Sequence, residues 1–508
     1  MRTVRRLKLL RQPDVTLGNV MDHLAAVHTD AELVRQDEPA LDLSFRQAAI
    51  KVREWSGAVR LQVGPGERIV LALPNSYELL LACFAVAHAG AVAVPVNAQM
   101  RPDEIDHVIA DSGAELVVRS VDELADPGVL PEEPLPADPG DVAALFYTSG
   151  TTGKPKGVAL THRSLVDQAR RLALWPAELR RDSSVVALPV AHIMGFVVLL
   201  GFAAGGITTR FLPRFRPDDV LDAIETERAS IFIGVPAMYR MLLQAGAEYR
   251  DLSSIRVWGS GADAMPTELA QRFKEMGAMI SVPGLGPVGQ ATFVEGYGMV
   301  EAGGGVAAKI SPPYVATGLG DAVGLRLPGY RFRVMDDDDR RIRRWGDVGE
   351  LHVRGPGLLQ EYWNSPEATH QALTDDGWLR TGDLVRLGPL GSVLFAGRKK
   401  DVIKHGGYSV YAVEVEQVLE TCPAVAEAAV VGLPDERLGE VPVAFVRLAD
   451  PEQYGTEAAT ARVVKTVLAH ADEHLAEYKR PTAVHVVDEL PRTGTTKVQK
   501  QSLRDRLA

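Results

Sequence analysis

The order strand, helix, strand over residues 68–96 constrains the fold more than any other feature of this sequence. Arg68-Ile69-Val70-Leu71-Ala72-Leu73 is apolar enough for a buried strand, Pro74-Asn75-Ser76 offers a cap, Glu78 to Ala89 a helix, and Gly90 its stop. Ala91-Val92-Ala93-Val94-Pro95-Val96 is the second strand, and a further helix begins near Pro102-Asp103-Glu104. Two strands joined through a helix at this spacing run parallel, which implies a doubly wound α/β layer. At 508 residues the chain exceeds what one core usually holds, so it divides into two or more domains.

The chemistry-bearing stretch is Phe146-Tyr147-Thr148-Ser149-Gly150-Thr151-Thr152-Gly153-Lys154-Pro155-Lys156-Gly157-Val158. It follows the strand-like Val142 to Tyr147, so a strand delivers a loop rich in hydroxyls, glycines and lysines. Such a loop suits polyphosphate: glycines let backbone N–H groups face an anion, hydroxyls donate, and ammonium groups supply charge. Composition alone also fits a mobile surface turn. The Walker phosphate loop does not fit, because Gly150 and Gly153 are too close and Lys154 is followed by Pro155 rather than Ser or Thr.

Bulk properties narrow the classes. Lys plus Arg total 55 against 66 Asp plus Glu, a net charge of −11, which disfavours duplex nucleic acid as a partner. Two cysteines, Cys83 and Cys422, exclude a disulfide framework and a cysteine-rich zinc site and point to a reducing cytoplasm. Apolar runs such as Leu79 to Ala87 are too short to span a bilayer, and no signal peptide is evident. The basic N-terminus, with Arg2, Arg5, Arg6, Lys8 and Arg11, is read as a solvated, frayed end.

Residue for residue, the loop resembles the phosphate loop of the adenylate-forming superfamily, which includes acyl-CoA synthetases, peptide-synthetase adenylation domains and firefly luciferase. The resemblance runs from about Leu43 onward, with motifs in family order. It implies a large N-terminal domain of doubly wound sheets plus a β-barrel-like subdomain, residues 1–399, and a small mobile α+β C-terminal domain, residues 400–508, with the hinge at Lys400. It also implies ATP, magnesium and CoA. Thr148 is implied as catalytic, with Ser149, Gly150, Thr151, Thr152, Gly153, Lys154 and Lys156 around the phosphates.

Leu188-Pro189-Val190-Ala191-His192-Ile193-Met194-Gly195-Phe196 resembles the family's acyl-pocket motif, which implies that His192 orients the substrate carboxylate. A buried His that satisfies a carbonyl is the alternative. Amino-acid-activating relatives carry an Asp here; this stretch has none, so an acid without an α-amine is favoured. Val257-Trp258-Gly259-Ser260-Gly261-Ala262-Asp263 resembles the strand end beside the adenine, implicating Gly261 and Ala262; Trp258 is read as core. In Phe293-Val294-Glu295-Gly296-Tyr297-Gly298-Met299-Val300-Glu301, the resemblance implies nucleotide contacts from Glu295, Gly296, Tyr297 and Gly298, with Tyr297 stacking on adenine and Glu301 coordinating magnesium. Relatives usually have Thr where this chain has Val300, whose side chain cannot hydrogen-bond to the α-phosphate. The preceding segment, Val282 to Gly289, is longer and richer in glycine than usual.

Gly377-Trp378-Leu379-Arg380-Thr381-Gly382-Asp383-Leu384 and Gly397-Arg398-Lys399-Lys400-Asp401 continue the series. Asp383 is the ribose candidate, since a carboxylate can accept from two vicinal hydroxyls, and Arg398 resembles the family's ribose- and phosphate-contacting arginine. In the small domain, Lys404-His405-Gly406-Gly407-Tyr408 resembles the segment set against the pantetheine arm of CoA, implicating Lys404, Gly406 and Gly407. A helix over Ala412 to Thr421 follows, with Val413, Glu416, Gln417 and Glu420 at helical spacing. Pro491-Arg492-Thr493-Gly494-Thr495-Thr496-Lys497 resembles the loop bearing the catalytic lysine, Lys497. The implied activity is ATP-dependent conversion of a carboxylic acid, a fatty acid first, to acyl-AMP and then acyl-CoA. Loading of a separate acyl carrier protein, ligation of an aromatic acid, or a weakened nucleotide-binding homologue are the alternatives.

Overall fold

The computed structural model describes residues 14–97, 100–125, 133–148, 155–175, 182–282, 284, 286–315, 322–388, 392–450, 456–492 and 498–507. The chain divides into two compact units, Met1–Arg331 with Val353–Leu379, and Phe332–His352 with Arg380–Ala508. Lys400 lies inside the second, in the short 3-10 turn Lys399–Asp401.

The first unit holds two large sheets. In the six-stranded one the strands run Glu361–Tyr362, Lys156–Thr161, Val142–Thr148, Val92–Pro95, Arg68–Leu71, Leu116–Val118. The last four are parallel, as the strand-helix-strand pattern requires, and the first two are antiparallel additions at one edge. The helix between the first two parallel strands spans Tyr77–His88, with Ser76 accepting from Leu79 N at its start and Gly90 at φ +76 after its end. All of its residues but Glu78 are buried, which explains its largely apolar composition.

In the nine-stranded sheet, Thr292–Met299, Val257–Gly261, Ile231–Gly234, Ser183–Val186, Thr208–Phe211 and Glu32–Gln36 are consecutive parallel neighbours. Gly304–Ser311, Leu325–Arg326 and Leu41–Ser44 extend it antiparallel. One face buries an aromatic cluster of Phe232, Tyr239, Trp258, Phe273 and Phe293, so Trp258 is core, fully excluded from solvent. Gly259 belongs to this packing: a Cβ there would stand 2.8 Å from Ile233 Cγ1, and its carbonyl accepts from Tyr239 Oη at 2.6 Å.

The second unit contains a four-stranded sheet in the order Arg331–Met335, Val348–Arg354, Leu379–Leu387, Val393–Arg398. It also contains a five-stranded sheet built on Val425–Asp435 and Gly439–Leu448. Alternating residues of Val425–Asp435 face opposite cores. Ala428 and Val430 pack with the helices Ala412–Glu420 and Glu457–His474, and Ala429 and Val431 with Leu503. The first of these helices buries Ala412, Val415 and Leu419. Glu416 and Glu420 accept from Val430 N and Ala428 N, which the charge pattern does not announce. Among the described residues no helix is long and apolar enough to cross a membrane, and Cys83 and Cys422 are buried free thiols.

Candidate active site

In the first unit, Thr148 and Lys156 are the last facing pair of the two antiparallel strands that flank the candidate phosphate-binding stretch. Ser149, Gly150, Thr151, Thr152, Gly153 and Lys154 lie outside the described residues. These strands are braced. His107 Nε2 donates to Pro155 O at 2.9 Å, Tyr147 Oη donates to Asp111 Oδ2 at 2.7 Å, and a Cβ at Gly157 would stand 3.0 Å from the Tyr147 ring.

The carboxyl ends of the parallel strands carry the other candidates, where ligands bind in open α/β sheets. After Ser183–Val186 the incoming loop packs closely on the start of the next helix, where a Cβ at Gly195 would meet Pro189 O at 2.1 Å. His192 caps the helix Ile193–Gly205, its Nδ1 accepting from Met194 N at 3.3 Å; a neutral ring therefore carries its proton on Nε2. Asn75, which sequence reasoning assigned only to a cap, fastens this loop: its Oδ1 accepts from Val190 N at 2.8 Å and its Nδ2 donates to Pro213 O at 2.9 Å.

Gly261 ends the strand Val257–Gly261, and Ala262 follows at φ +70. Across the sheet, Glu295 stands beside Ser260 on one side and opposite Lys309 on the other. Lys309 Nζ lies 2.8 Å from Glu295 Oε1, and both side chains are largely buried. Burial raises the Glu295 carboxyl above its ordinary value, opposed by the Lys309 charge. Ser260 Oγ is buried without a hydrogen-bond partner among the described residues. Gly296 pairs with Ala308, and Tyr297 lies two residues beyond Glu295 on the same strand and face. Gly298 is obligatory, because a Cβ there would stand 2.1 Å from Gly304 O.

Val300, Glu301 and Ala302 form a short 3-10 turn closed by Gly303 at φ +64; Val300 is buried. Glu301 Oε1 accepts from Tyr362 Oη at 2.8 Å, and Oε2 has no protein partner among the described residues. No group of three or more His, Cys, Asp or Glu that could hold a metal occurs among the described residues. One available carboxylate oxygen nevertheless fits magnesium that arrives with substrate phosphates, since that ion keeps waters and takes one or two carboxylates.

The second unit carries the remaining candidates. Asp383 and Arg398 face each other on antiparallel strands, Arg398 Nε 3.3 Å from Asp383 Oδ1, with Asp383 buried and Arg398 half-exposed. Burial lowers the Lys400 ammonium below its usual range. Gly406 and Gly407, at φ +56 and +83, make the tight turn between Val402–His405 and Tyr408–Tyr411, positions that only glycine adopts without strain. Lys404 Nζ donates to Ser409 Oγ across that hairpin. Lys497 lies outside the described residues; on either side of it, Arg492 and Val498 form a bridge and Gln499 N donates to Pro491 O at 2.7 Å. Arg492 is anchored on Glu427.

Sequence reasoning missed Tyr362, Lys309, Ser260 and the pinning role of Asn75. For Tyr362 the only local signal is an apolar pair, Tyr362-Trp363, ahead of Pro366; its partner is 61 residues away.

Comparison with known proteins assigns the family. The family model described as AMP-binding enzyme matches residues 21–363, and the model of the AMP-binding enzyme C-terminal domain matches residues 414–497. A feruloyl-CoA synthase of an Amycolatopsis species is 33% identical over 96% of this chain and 99% of its own length. A long-chain-fatty-acid–CoA ligase of Mycobacterium tuberculosis is 30% identical over 92% of this chain and 94% of its own length. The crystal structure of ATP-bound MatB from Rhodopseudomonas palustris superposes with a TM-score of 0.82 at 28% identity, covering 97% of this chain and 99% of the other. The chain therefore belongs to the AMP-binding enzyme family of the adenylate-forming superfamily, with both the large domain and its C-terminal companion present.

Proposed function

We propose that the protein is an AMP-forming acid–CoA ligase. A carboxylate oxygen attacks the α-phosphorus of ATP, pyrophosphate leaves, and the resulting acyl-AMP is attacked at its acyl carbon by the thiol of CoA, releasing AMP. The observation that carries this reading is the end-to-end likeness to CoA ligases across both family domains.

The two reactants of the first step are both anions, so the site has to neutralise charge and hold an in-line approach. Thr148, the loop after it and Lys156 bind the phosphates, and Lys497 lies between carboxylate and phosphate to stabilise the charge there. Magnesium, when bound, would be held by Glu301 and would neutralise phosphate charge. Tyr297 stacks on adenine against the Gly261-Ala262 turn, and Asp383 and Arg398 take the ribose. His192, through Nε2–H, donates to the substrate carboxylate. Gly406 and Gly407, with Lys404, line the path of pantetheine after residues 400–508 rotate about Lys400 relative to residues 1–399.

The acid lacks an α-amine, which the absence of Asp from residues 188–196 supports. A fatty acid is the first choice, and an aromatic acid is the second reading, supported by the 33% identity to a feruloyl-CoA synthase. Buried, unpaired Cys83 and Cys422 support a reducing cytoplasmic setting. Pyrophosphate release over a panel of fatty and aromatic acids, with and without CoA, tests the assignment. Adenylation without thioester formation on CoA would favour a carrier-protein acceptor, and no release with any acid would favour a nucleotide-binding homologue.

A further inference from the structure

One side chain, Tyr362, stands between two groups assigned separately to the polyphosphate. Its hydroxyl donates to Glu301 Oε1 at 2.8 Å, and Lys156 Nζ lies over its ring, 5.7 Å from the centroid. Backbone bonds tie the segment to both partners. Tyr362 faces Val158 in an antiparallel pair, Gln360 N donates to Ala159 O at 2.9 Å and Trp363 N to Gly157 O at 2.7 Å. On the other side Leu359 N donates to Glu301 O at 2.8 Å. Tyr362 N itself donates to Thr369 Oγ1 at 2.9 Å. Residues 359–363 are thus laced to the strand leaving the phosphate loop and to the turn that carries Glu301.

A glutamate side chain has several rotatable bonds, and ordering it costs free energy at the moment of binding. Anchoring one carboxylate oxygen beforehand removes part of that cost and limits where the other can point. An edge strand of two residues contributes little pairing of its own, so the phenol's two contacts are what distinguish Tyr362 from a packing residue.

We propose that Tyr362 is a positioning residue for the adenylation step. Its phenol sets the Glu301 carboxylate for the magnesium that accompanies the triphosphate, while its ring stations the Lys156 ammonium beside the same hairpin. The proposal rests on the reading of Glu301 as the magnesium-holding carboxylate.

Calorimetric titration of ATP into the full-length protein, with and without magnesium, measures how much the ion strengthens binding, independently of turnover. Tyr362→Phe keeps the ring under Lys156 and removes only the hydroxyl. It should reduce the magnesium-dependent gain about tenfold, the scale usual for groups that orient a metal ligand, and leave magnesium-free binding unchanged. Glu301→Gln should reduce that gain at least as much, and the double variant should resemble Glu301→Gln alone. If Glu301→Gln loses the gain and Tyr362→Phe retains it, Tyr362 does not position the carboxylate. If both variants retain it, the magnesium role of Glu301 falls as well. A loss of magnesium-free binding in Tyr362→Phe equal to its loss with magnesium would mark the hydroxyl as merely structural and overturn the proposal. Lys156→Met, with the phenol intact, should weaken ATP binding equally with and without magnesium; a selective loss of the magnesium gain would contradict the division of roles.

Discussion

Glu295 and Lys309 form a largely buried ion pair across two antiparallel strands, Nζ to Oε1 2.8 Å, in register with the buried hydroxyl of Ser260 on the next strand. Buried pairs stabilise little in total, but breaking one is costly because the remaining charge stays buried. Lys309→Met should therefore destabilise the protein by about 3–5 kcal/mol, and adding Glu295→Gln should recover most of it. The pH dependence follows from the raised Glu295 carboxyl. A carboxyl whose folded value exceeds its ordinary 4.5 favours the folded state at acid pH and loses that contribution as pH rises through the folded value. Removing Lys309 takes away the attraction that holds the value down, so the deficit of Lys309→Met relative to the natural protein should grow as pH rises above the ordinary carboxyl value. Thermal denaturation across that range checks it; a deficit independent of pH would mean that Glu295 is not the group left unpaired.

His192 has two separable duties, a helix cap through Nδ1 and the proposed donation to substrate through Nε2. His192→Asn keeps a capping acceptor, so its melting temperature should stay near that of the natural protein while KM for the acid rises about tenfold, as expected for loss of a hydrogen bond to a charged group. His192→Ala should add a stability loss of about 1 kcal/mol. Steady-state kinetics and melting curves on the pair distinguish the two duties. An unchanged KM in both would leave His192 as a cap only.

Val300 is buried in the turn before Glu301 and offers no hydroxyl. Val300→Thr changes shape little and adds a donor, worth about 1 kcal/mol for one net hydrogen bond, or about fivefold in rate. ATP–pyrophosphate exchange should rise by that factor. An unchanged rate would show that Thr148 or the loop after it already makes the contact.

Lys497 and Lys400 belong to different halves of the reaction in the proposed cycle. Lys497→Ala should abolish acyl-adenylate formation, by about 10²–10³-fold, while thioester formation from supplied acyl-adenylate survives. Lys400→Pro should spare adenylation and suppress the thioester step, because proline restricts the backbone rotation a hinge needs. Separate assays of the two half-reactions check both. Equal loss of both halves in Lys497→Ala, or equal rates in Lys400→Pro, would overturn the corresponding role.

Local order carried much of the sequence reading. Ser76, Tyr77–His88 and Gly90 lie where capping and periodicity put them, and residues 68–71 and 92–95 are parallel as their spacing demands, because these features depend on neighbours within a few residues. Trp258 is core, as an aromatic on a buried strand should be. The helix Ala412–Glu420 shows the limit: its buried row follows from what packs against it, and two glutamates there serve backbone N–H groups of another strand.

The motifs by themselves determined the family and the parallel run of the first strands, since the order of glycines, hydroxyls and lysines and the spacing of strand and helix are properties of the chain. Tertiary structure alone decided that Tyr362 meets Glu301 across 61 residues, that Lys309 neutralises Glu295, and that Asn75 pins the His192 loop. Those partners are set by strand register and by how the sheets lay distant segments side by side, and a linear pattern carries no record of which side chain a given strand will face.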